Sequence, residues 1–399
     1  MDTTLIIGII LFSALVGGEI ARVVKLPKIT GYILAGIALN PRLTTIIPRD
    51  FTDHTEFITN LALAFITFSV GGSLLLPHLK RLGKSILWIA GGEAETAMLA
   101  VGTGLFVGGW LLGWPYPPLA AVLLAPLATP TDPSATLAVA HEYRAHGDVT
   151  TTVMGVAALD DVLAILNFSL ATGLAGLLTS SPRTNIGGLL WDSAAMVLIG
   201  IGIGIIGGLT FNALTNLLRR ETEGALIVLI FAALTMIFGA VRLCGGDELL
   251  GTLAMGTLVA NFNRRRKLIF KMLERYTEEL IFALFFTLSG MLLDLAMIET
   301  MFGLITGFIF LRGSGKWLGS RLGAIVSRAP QKIRRHLFWG LLPQGGIVIG
   351  LALLLKSNPD FSEVADTVMS VTLGATVIHE IIGPLLAKRA LQQAGEINV

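Results

Sequence analysis

The feature that most constrains this chain is the stretch of residues 127–168, which places charged side chains in sequence as apolar as a lipid bilayer. Asp132, Asp160 and Asp161 all fall within this stretch. A charged side chain at the centre of a bilayer costs at least about 2.5–3.5 kcal/mol. Two adjacent aspartates at that depth are therefore expected to have a function.

Two prolines, Pro130 and Pro133, interrupt the same stretch. Each proline removes a backbone N–H donor and breaks the hydrogen-bond ladder of a helix. Within a membrane such a break is tolerated only where it is buried in protein or lines a wet cavity. A broken helix that faces paired acids on another helix is typical of the cation sites of secondary transporters. The stretch therefore predicts a cation site near the middle of the membrane.

The composition predicts an all-α membrane protein with many spans. Of the 399 residues, 53% are hydrophobic and only 14% are charged, and the mean hydropathy is +0.76. An average soluble domain carries about 25% charged residues. The single cysteine, Cys244, excludes a disulfide within one chain and any cluster of cysteine metal ligands. We predict one membrane domain over residues 1–399, without a soluble C-terminal regulatory domain and without a cofactor.

Apolar runs that are long enough to cross a bilayer recur along the chain, and we count about 13 of them. The predicted spans are residues 3–21, 27–40, 55–76, 84–112, 117–140, 150–178, 186–216, 222–242, 246–262, 276–296, 299–326, 333–355 and 364–387.

Basic residues collect on alternate connections between these spans. One side takes Lys80, Arg81, the run 264–267 and Lys388, whereas the opposite connections are poorer in basic residues. The positive-inside rule places the basic side in the cytoplasm, with the N-terminus outside and the C-terminus inside. We interpret the run 264–267 as a topology anchor and expect no nucleic-acid partner.

The two halves of the chain are predicted to form an inverted repeat. The repeats are residues 1–178 and 222–390, and the span 186–216 joins them. The fifth span is broken at residues 129–133, and the twelfth span is broken at residues 342–346, which also contain proline and glycine. Two broken, crossing helices in corresponding positions indicate a transport site.

The helices that follow the two breaks are also similar to each other. Gly155 is followed five and six residues later by the aspartate pair, and Gly374 is followed at the same distances by His379 and Glu380. This spacing supports the predicted repeat.

Four motifs follow one another along the chain. They are Pro27, Gly31, Tyr32, Gly36 and Pro41; Asp160 and Asp161; Phe285, Phe286, Gly290, Met291 and Asp294; and Leu342, Pro343, Gln344 and Gly345. Each motif alone is weak, but the four motifs in this order at these spans are specific. With them the chain resembles the monovalent cation/proton antiporters, in the branch with a paired-aspartate motif, over nearly its whole length.

The resemblance implies a homodimer in which a core domain moves against a dimerisation domain, and in which Na⁺ or Li⁺, sometimes K⁺, is exchanged for protons. This chain departs from the family pattern in two places. Potassium-efflux members usually carry a cytosolic nucleotide-binding domain, whereas this chain ends about ten residues after its last predicted span. Residues 344–346 also lack the Arg or Glu that many members have in the second break.

Asp161 is the first candidate for the cation ligand, with Asp132, Thr131 and Thr129 supplying further oxygens at the break. Alkali cations prefer oxygen ligands, and the freed threonine carbonyls and the Thr131 hydroxyl add to the carboxylates. A carboxylate removed from water holds a proton more readily, so it can bind a proton or a cation near neutral pH, but not both. The alternative for Asp161 is a structural acid, and Asp132 could instead cap the second half-helix.

Asp160 points about 100° round the helix from Asp161 and could pair with a basic residue of another span. Lys316 and Arg312 lie one turn apart and share a face of the eleventh span. Lys316 stands about fourteen residues before Pro330, and the resemblance implies that a lysine at this spacing pairs with the first aspartate. Arg312 is the alternative partner, and either residue could instead extend to the membrane interface.

Five more polar residues are secondary candidates. We predict that Glu93 and Glu95 of the fourth span are structural and that one of them neutralises the arginine of the eleventh span. His379 and Glu380 are predicted to form a satisfied buried pair rather than a ligand set. Ser69 of the third span could approach the site.

Together these observations predict an antiporter of the bacterial plasma membrane that exchanges cytosolic Na⁺ or Li⁺ for external protons with net movement of charge. The sequence shows no nucleophile–base pair of an enzyme and no phosphate-binding loop, so the proton gradient is the expected energy source. Three alternatives remain: a K⁺/H⁺ antiporter of the same fold, a Na⁺-coupled symporter of an organic anion, and a membrane sensor.

Overall fold

The chain is almost entirely helical in the computed structural model. The structure describes all residues except 1, 25, 45, 49–50, 52–54, 114–116, 179–185, 218–222, 292–300, 346, 349–350, 353–354, 356–360 and 398–399. Its helices are α1 (Thr3–Val23), α2 (Lys28–Ala38), α3 (Glu56–Ser73), α4 (Leu76–Leu111), α5 (Pro117–Leu124), α6 (Pro133–Glu142), α7 (Asp148–Leu178), α8 (Ile186–Leu217), α9 (Glu223–Leu243), α10 (Glu248–Phe262), α11 (Arg266–Tyr276), α12 (Glu278–Met291), α13 (Phe302–Val326), α14 (Gln331–Gly340) and α15 (Ser362–Gln393). These residues include no strand, which confirms the all-α class.

Several helices have the length and composition of membrane spans. Within the described part of the chain, α1, α4, α7, α8, α9 and α15 contain segments long and apolar enough to cross a bilayer, and α2, α3 and α10 are shorter apolar helices. The total of about 13 spans stays a prediction. Helix α13 carries Arg312, Lys316 and Arg321, and these charges lower the hydropathy of a predicted span.

Helix α11 was not among the predicted spans. It begins inside the basic run 264–267 and buries Ile269, Met272 and Leu273 on one side. These apolar positions are three and four residues apart, which is the spacing of one face of an amphipathic helix. The connection predicted between the ninth and tenth spans is therefore partly helical.

The chain divides into two compact units. The first unit comprises Met1–Lys80, Leu137–Ala145 and Ala195–Leu293. The second unit comprises Arg81–Thr136, His146–Ala194 and Asp294–Val399.

Within the first unit, α3 and α10 cross at two glycines. A Cβ on Gly256 would lie 2.1 Å from the Phe68 carbonyl oxygen, and a Cβ on Gly71 would lie 2.1 Å from the Leu253 carbonyl oxygen. Between membrane helices the hydrophobic effect supplies little attraction, so close backbone packing of small residues stabilises their association. Gly256 and Gly71 permit that approach.

The second unit holds an apolar core formed by α4, α5, α7, α13 and α15. Val101, Leu123, Ala164, Phe308 and Val368 represent these helices in the core, and each is fully buried. Leu127 and Ala128 from the first predicted break pack into the same core. The core therefore holds the interrupted segment in place from several sides.

Candidate functional site

The second unit contains the two helix breaks, as predicted. Helix α5 ends at Leu124, a short 3₁₀ helix follows at Pro126–Ala128, and α6 begins only at Pro133. Helix α14 ends at Gly340, and residues 341–345 are not helical. Prolines at both breaks lack the N–H group that would continue the helical hydrogen bonds.

The two breaks are hydrogen-bonded to each other. The backbone N–H of Asp132 donates to the Pro343 carbonyl oxygen at 3.0 Å. The Gln344 side chain donates through Nε2 to the Leu127 carbonyl oxygen at 2.7 Å. Each break thus supplies partners for backbone groups that the other break leaves free.

Arg312 spans both breaks with its guanidinium group. Nε donates to the Ala128 carbonyl oxygen at 3.1 Å, and Nη2 donates to that of Pro130 at 2.8 Å. Nη1 donates to the Leu342 carbonyl oxygen at 2.8 Å. The side chain is fully buried, so Arg312 does not extend to the membrane interface. A planar guanidinium group with several donors is well suited to bind carbonyls on two segments at once.

Lys316 lies in a cluster of three oxygen-bearing side chains. Its Nζ donates to Glu93 Oε2 at 2.5 Å and to Thr131 Oγ1 at 2.9 Å, and it lies 3.4 Å from Asp160 Oδ2. The Thr131 hydroxyl donates to Asp160 Oδ2 at 2.7 Å. Lys316, Glu93 and Asp160 are fully buried. The first break, the aspartate helix α7 and helix α13 therefore meet at one ammonium group.

The expected direct ion pair of Glu93 or Glu95 with Arg312 is not found in the described part of the chain. Glu93 instead pairs with Lys316, and Glu95 accepts a hydrogen bond from Asn167 Nδ2 at 3.2 Å. Residues two apart on a helix point in different directions, because each residue turns about 100°. The two glutamates consequently have separate partners. The guanidinium group of Arg312 instead donates its hydrogen bonds to backbone carbonyls of the two breaks.

A glycine stripe on α13 brings Glu93 to Lys316. A Cβ on Gly319 would lie 2.2 Å from the Gly92 carbonyl oxygen, and a Cβ on Gly315 would also collide with the backbone of α4. Small residues one turn apart allow two helix backbones to approach closely. This close crossing of α4 and α13 places Glu93, which follows Gly92, against Lys316, which follows Gly315.

Asp132 follows Thr131 at the first break, and Asp161 follows Asp160 on α7. Asp161 is 6% exposed. Asp132 is less buried, and its Oδ1 accepts from Ser134 N at 2.8 Å and from Ser134 Oγ at 2.5 Å. Asp132 therefore caps α6 through Oδ1, and this contact does not involve Oδ2. A Cβ on Gly345 would lie 2.2 Å from Asp132 Oδ2, so this glycine leaves room for the carboxylate at the second break.

Thr129 is fully buried at the same break. Its hydroxyl makes no hydrogen bond to the part of the chain that the structure describes. Buried polar atoms usually have a partner, so this hydroxyl is a suitable oxygen for an ion. That role, like the cation roles of Asp161, Asp132 and Thr131, stays a prediction.

The expected satisfied pair of His379 and Glu380 is wrong. His379 Nδ1 lies 3.0 Å from Gln344 Oε1, so the histidine pairs with the second break. Glu380 Oε2 and His379 Nε2 have no hydrogen-bond partner among the described residues. Neighbouring residues on a helix do not face each other, which explains why these two side chains do not pair.

Other candidates take no part in the contacts described above. Ser69 belongs to the first unit, whereas the cluster around Lys316 belongs to the second unit. Gly346 and Asp294 lie outside the described residues.

Sequence reasoning missed the role of Gln344 as a link between the first break and His379. A usable signal was present, because a helix break leaves carbonyls that need donors. Gln344 lies inside the second break and carries an amide donor.

The site contains more acidic than basic groups. Among the described residues it buries the carboxyl groups of Glu93, Asp160, Asp161 and Glu380 together with three basic side chains, Arg312, Lys316 and the imidazole of His379. Burying an uncompensated charge costs several kcal/mol even after relaxation. With a neutral His379, two further positive charges are needed when all four carboxyl groups are ionised, and protons or cations can supply them.

Comparison with known proteins gives relatives of one kind. The Na(+)/H(+) antiporter 1 of Methanocaldococcus jannaschii is 25% identical over 185 residues, which cover 45% of this chain and 42% of that protein. The Na(+)/H(+) antiporter NhaP of Pseudomonas aeruginosa is 24% identical over 303 residues, or 70% of this chain and 68% of that one. Cation/H(+) antiporter 15 of Arabidopsis thaliana is 24% identical over 393 residues, and the match covers 44% of that protein. The match thus spans less than half the length of the Methanocaldococcus and Arabidopsis proteins.

The fold is that of a solved antiporter. The structure of the sodium proton antiporter MjNhaP1 from Methanocaldococcus jannaschii matches with a TM-score of 0.71 and 22% identity, and the match covers 97% of each chain. A family model described as "Sodium/hydrogen exchanger, transmembrane" matches residues 8–392. Since this match extends over most of its length, the chain belongs to the sodium/hydrogen exchanger family of membrane proteins.

Proposed function

We propose that this protein is a secondary antiporter that exchanges a monovalent cation, Na⁺ or Li⁺, for protons. The observation that carries the proposal is the juxtaposition of Asp160 with Thr131 and Lys316 beside two interrupted helices joined through Arg312. Interrupted helices supply carbonyl oxygens and helix termini for ions at mid-membrane depth. Membership of the exchanger family supports the same function.

Asp161 is proposed as the residue that binds either a proton or the cation. Its side chain is nearly buried, so an ionised Asp161 requires a positive partner. Asp132 and the oxygens of Thr129 and Thr131 complete the ligand set. Because the two occupants exclude each other, a site that opens to the two sides of the membrane in turn exchanges them.

The exchange is proposed to move net charge. Lys316 pairs with Asp160 at 3.4 Å, and a cation that binds beside Asp160 competes for this carboxylate. A buried lysine can release its proton, so two protons would leave for each cation that enters, one from Asp161 and one from Lys316. Arg312 cannot take this role, because a guanidinium group does not deprotonate in proteins.

We further propose a homodimer in the plasma membrane, with the basic connections in the cytoplasm. The homodimer follows from the family resemblance, and the orientation follows from the distribution of lysine and arginine. Light scattering of the detergent-solubilised protein would measure its oligomeric state.

Asp161→Asn tests the proposal directly. The amide keeps the shape of the side chain but holds neither the titrating proton nor the charge that the cation needs, so exchange should fall to background. The measurement is release of protons from an acidic vesicle lumen after external addition of Na⁺, Li⁺ or K⁺ to reconstituted protein. Asp192→Asn is the matched control, because Asp192 is exposed on α8.

Flux like that of the wild type in Asp161→Asn, at equal protein content, would refute the assignment of Asp161. Proton release on K⁺ addition alone would replace the Na⁺ proposal with the K⁺/H⁺ alternative. A cation flux that requires an organic anion and moves no protons would indicate a symporter.

A further inference from the structure

A basic pocket lies in the second unit, where α13 ends and α14 begins. Its volume is about 690 Å³. The side chains that line it include Arg321, Arg334, Arg335, Gln331, Trp317 and Ile325. Three of these are arginines and none is acidic, so the pocket favours an anionic ligand.

Two of the arginines are held in place. Arg321 lies over the ring of Trp317, with 5.5 Å between the guanidinium carbon and the ring centre. Arg334 Nε donates to the Ala329 carbonyl oxygen at 2.7 Å. None of the three arginines forms an ion pair with a carboxylate in the described part of the chain. Their charges therefore remain available to a ligand.

The N-terminus of α14 adds a further electropositive group. Gln331 is the first residue of this ten-residue helix, and Pro330 before it provides no side-chain cap. The free N–H groups at the start of a helix attract anions, and a phosphate group is a common partner.

An apolar surface continues from the pocket along α13. Five large apolar side chains are between 47% and 55% exposed, and they are Trp317, Leu318, Leu322, Ile325 and Val326. Trp317 and Ile325 also line the pocket. A ligand that covers both surfaces must be charged at one end and apolar at the other.

We propose that this pocket binds the phosphate headgroup of an anionic phospholipid, with the acyl chains packed along α13. Basic pockets between membrane helices on the cytoplasmic side are suited to such headgroups. The predicted orientation places this connection on the cytoplasmic side, so the lipid belongs to the inner leaflet.

The test compares the wild type with R321Q/R334Q/R335Q in neutral detergent. Phosphatidylglycerol should raise the unfolding temperature of the wild type, since a ligand that binds only the folded state stabilises it. Phosphatidylcholine should give no such rise. The triple variant should lose the response to phosphatidylglycerol. R264Q/K267Q/K271Q is the matched control, because it removes three charges elsewhere and should keep the response.

Three further measurements keep the proposal falsifiable. If the triple variant does not fold, Arg321→Gln and Arg335→Gln should each weaken lipid binding by about fivefold. Phosphatidylglycerol with brominated acyl chains should quench Trp317, and Trp317→Phe should abolish that part of the quenching. Glycerol phosphate alone should bind far more weakly than the lipid.

Four results would overturn the proposal. They are an unchanged response in the arginine variants, loss of the response in the R264Q/K267Q/K271Q control, no quenching of Trp317, and equal binding of glycerol phosphate. The last result would indicate a site for a free anion.

All measurements of binding and stability are independent of transport, so a failure of the proposed antiport would not affect them.

Discussion

Lys316 has two acidic partners, and the nearer one is Glu93. Its Nζ lies 2.5 Å from Glu93 Oε2 and 3.4 Å from Asp160 Oδ2. A cation that displaces Lys316 from Asp160 still leaves the shorter contact in place. Because a neighbouring negative charge favours the charged form of lysine, an ionised Glu93 would retain the lysine proton. A net release of the Lys316 proton therefore requires Glu93 to carry a proton throughout the cycle, because a proton taken up by Glu93 would cancel the one that Lys316 releases.

Voltage dependence tests this account of Lys316. With two protons per cation, one charge crosses the membrane per cycle, and 100 mV should change the equilibrium cation gradient by about 50-fold. Lys316→Arg keeps a positive charge that cannot leave as a proton, so its exchange should be one for one and insensitive to voltage. The measurement is cation flux in vesicles with an imposed potassium-diffusion potential.

Lys316→Gln complements the arginine variant. It removes the charge, and Glu93 and Asp160 lose a buried partner, so we expect about 3–5 kcal/mol of destabilisation. Any remaining exchange should be insensitive to voltage. Equal wild-type rates at inside-negative and inside-positive potentials would contradict the assignment of a proton to Lys316.

At the scale of structural elements, the two interrupted helices depend on Arg312. Its guanidinium group donates to carbonyls of Ala128, Pro130 and Leu342, which lie on both breaks. Leaving a buried carbonyl without a donor costs about 1–3 kcal/mol. Arg312 is therefore a structural connection between the breaks as well as a charge.

Arg312→Lys should lower the free energy of unfolding by about 2–4 kcal/mol, because lysine has one donor nitrogen in place of the three separate nitrogens that reach the carbonyls of Ala128, Pro130 and Leu342. Transport should fall at least tenfold, since the breaks lose their relative position. Thermal unfolding in detergent and vesicle flux are the measurements. The exposed Arg264→Lys is the control, and equal stability of the two variants would contradict the role of Arg312.

The crossing of α3 and α10 gives a second prediction at this scale. Gly256→Ala places a Cβ 2.1 Å from the Phe68 carbonyl oxygen and should destabilise the protein by about 1–3 kcal/mol through overpacking. In Gly239→Ala on α9 the new Cβ meets nothing within 4 Å, so this control should be neutral or slightly stabilising. Equal loss of stability in both variants would refute the close crossing.

A similar crossing joins α2 and α12. A Cβ on Gly36 would lie 2.1 Å from the Thr287 carbonyl oxygen, and a Cβ on Gly290 would lie 2.3 Å from that of Ile33. In the predicted repeats, α2 and α10 hold the second position of their halves, and α3 and α12 hold the third. One crossing therefore joins the third helix of the first half to the second helix of the second half. The other crossing joins the second helix of the first half to the third helix of the second half, so the two crossings correspond when the halves are exchanged. We propose on this basis that the halves are structural repeats.

At the scale of the whole molecule, competition between protons and cations determines how transport depends on pH. Lowering the pH should raise the apparent KM for the cation. The increase should reach up to about tenfold per pH unit for each competing proton, once the pH is below the pKa of the carboxyl group. Initial rates in vesicles at several pH values measure it. A KM that stays constant from about pH 6 to 9, a range in which a buried carboxyl group is expected to titrate, would indicate separate sites.

The sequence alone was sufficient for the class of fold, the family and the position of both helix breaks. Pro130 and Pro343 lack a donor wherever they stand, and Asp160 and Asp161 are costly in any apolar span. These properties belong to single residues or to short stretches, so they can be read without knowing how the helices pack.

The tertiary structure decided which charged groups meet. Lys316 and Glu93 are 223 residues apart in the chain, and their contact depends on how closely α4 and α13 approach at Gly315 and Gly319. The assignment of Arg312 to carbonyls of the breaks also depends on packing, because a span can rotate about its axis without any change in its hydropathy. Pairing across helices is determined by rotation and crossing, and neither is encoded in the pattern of a single helix.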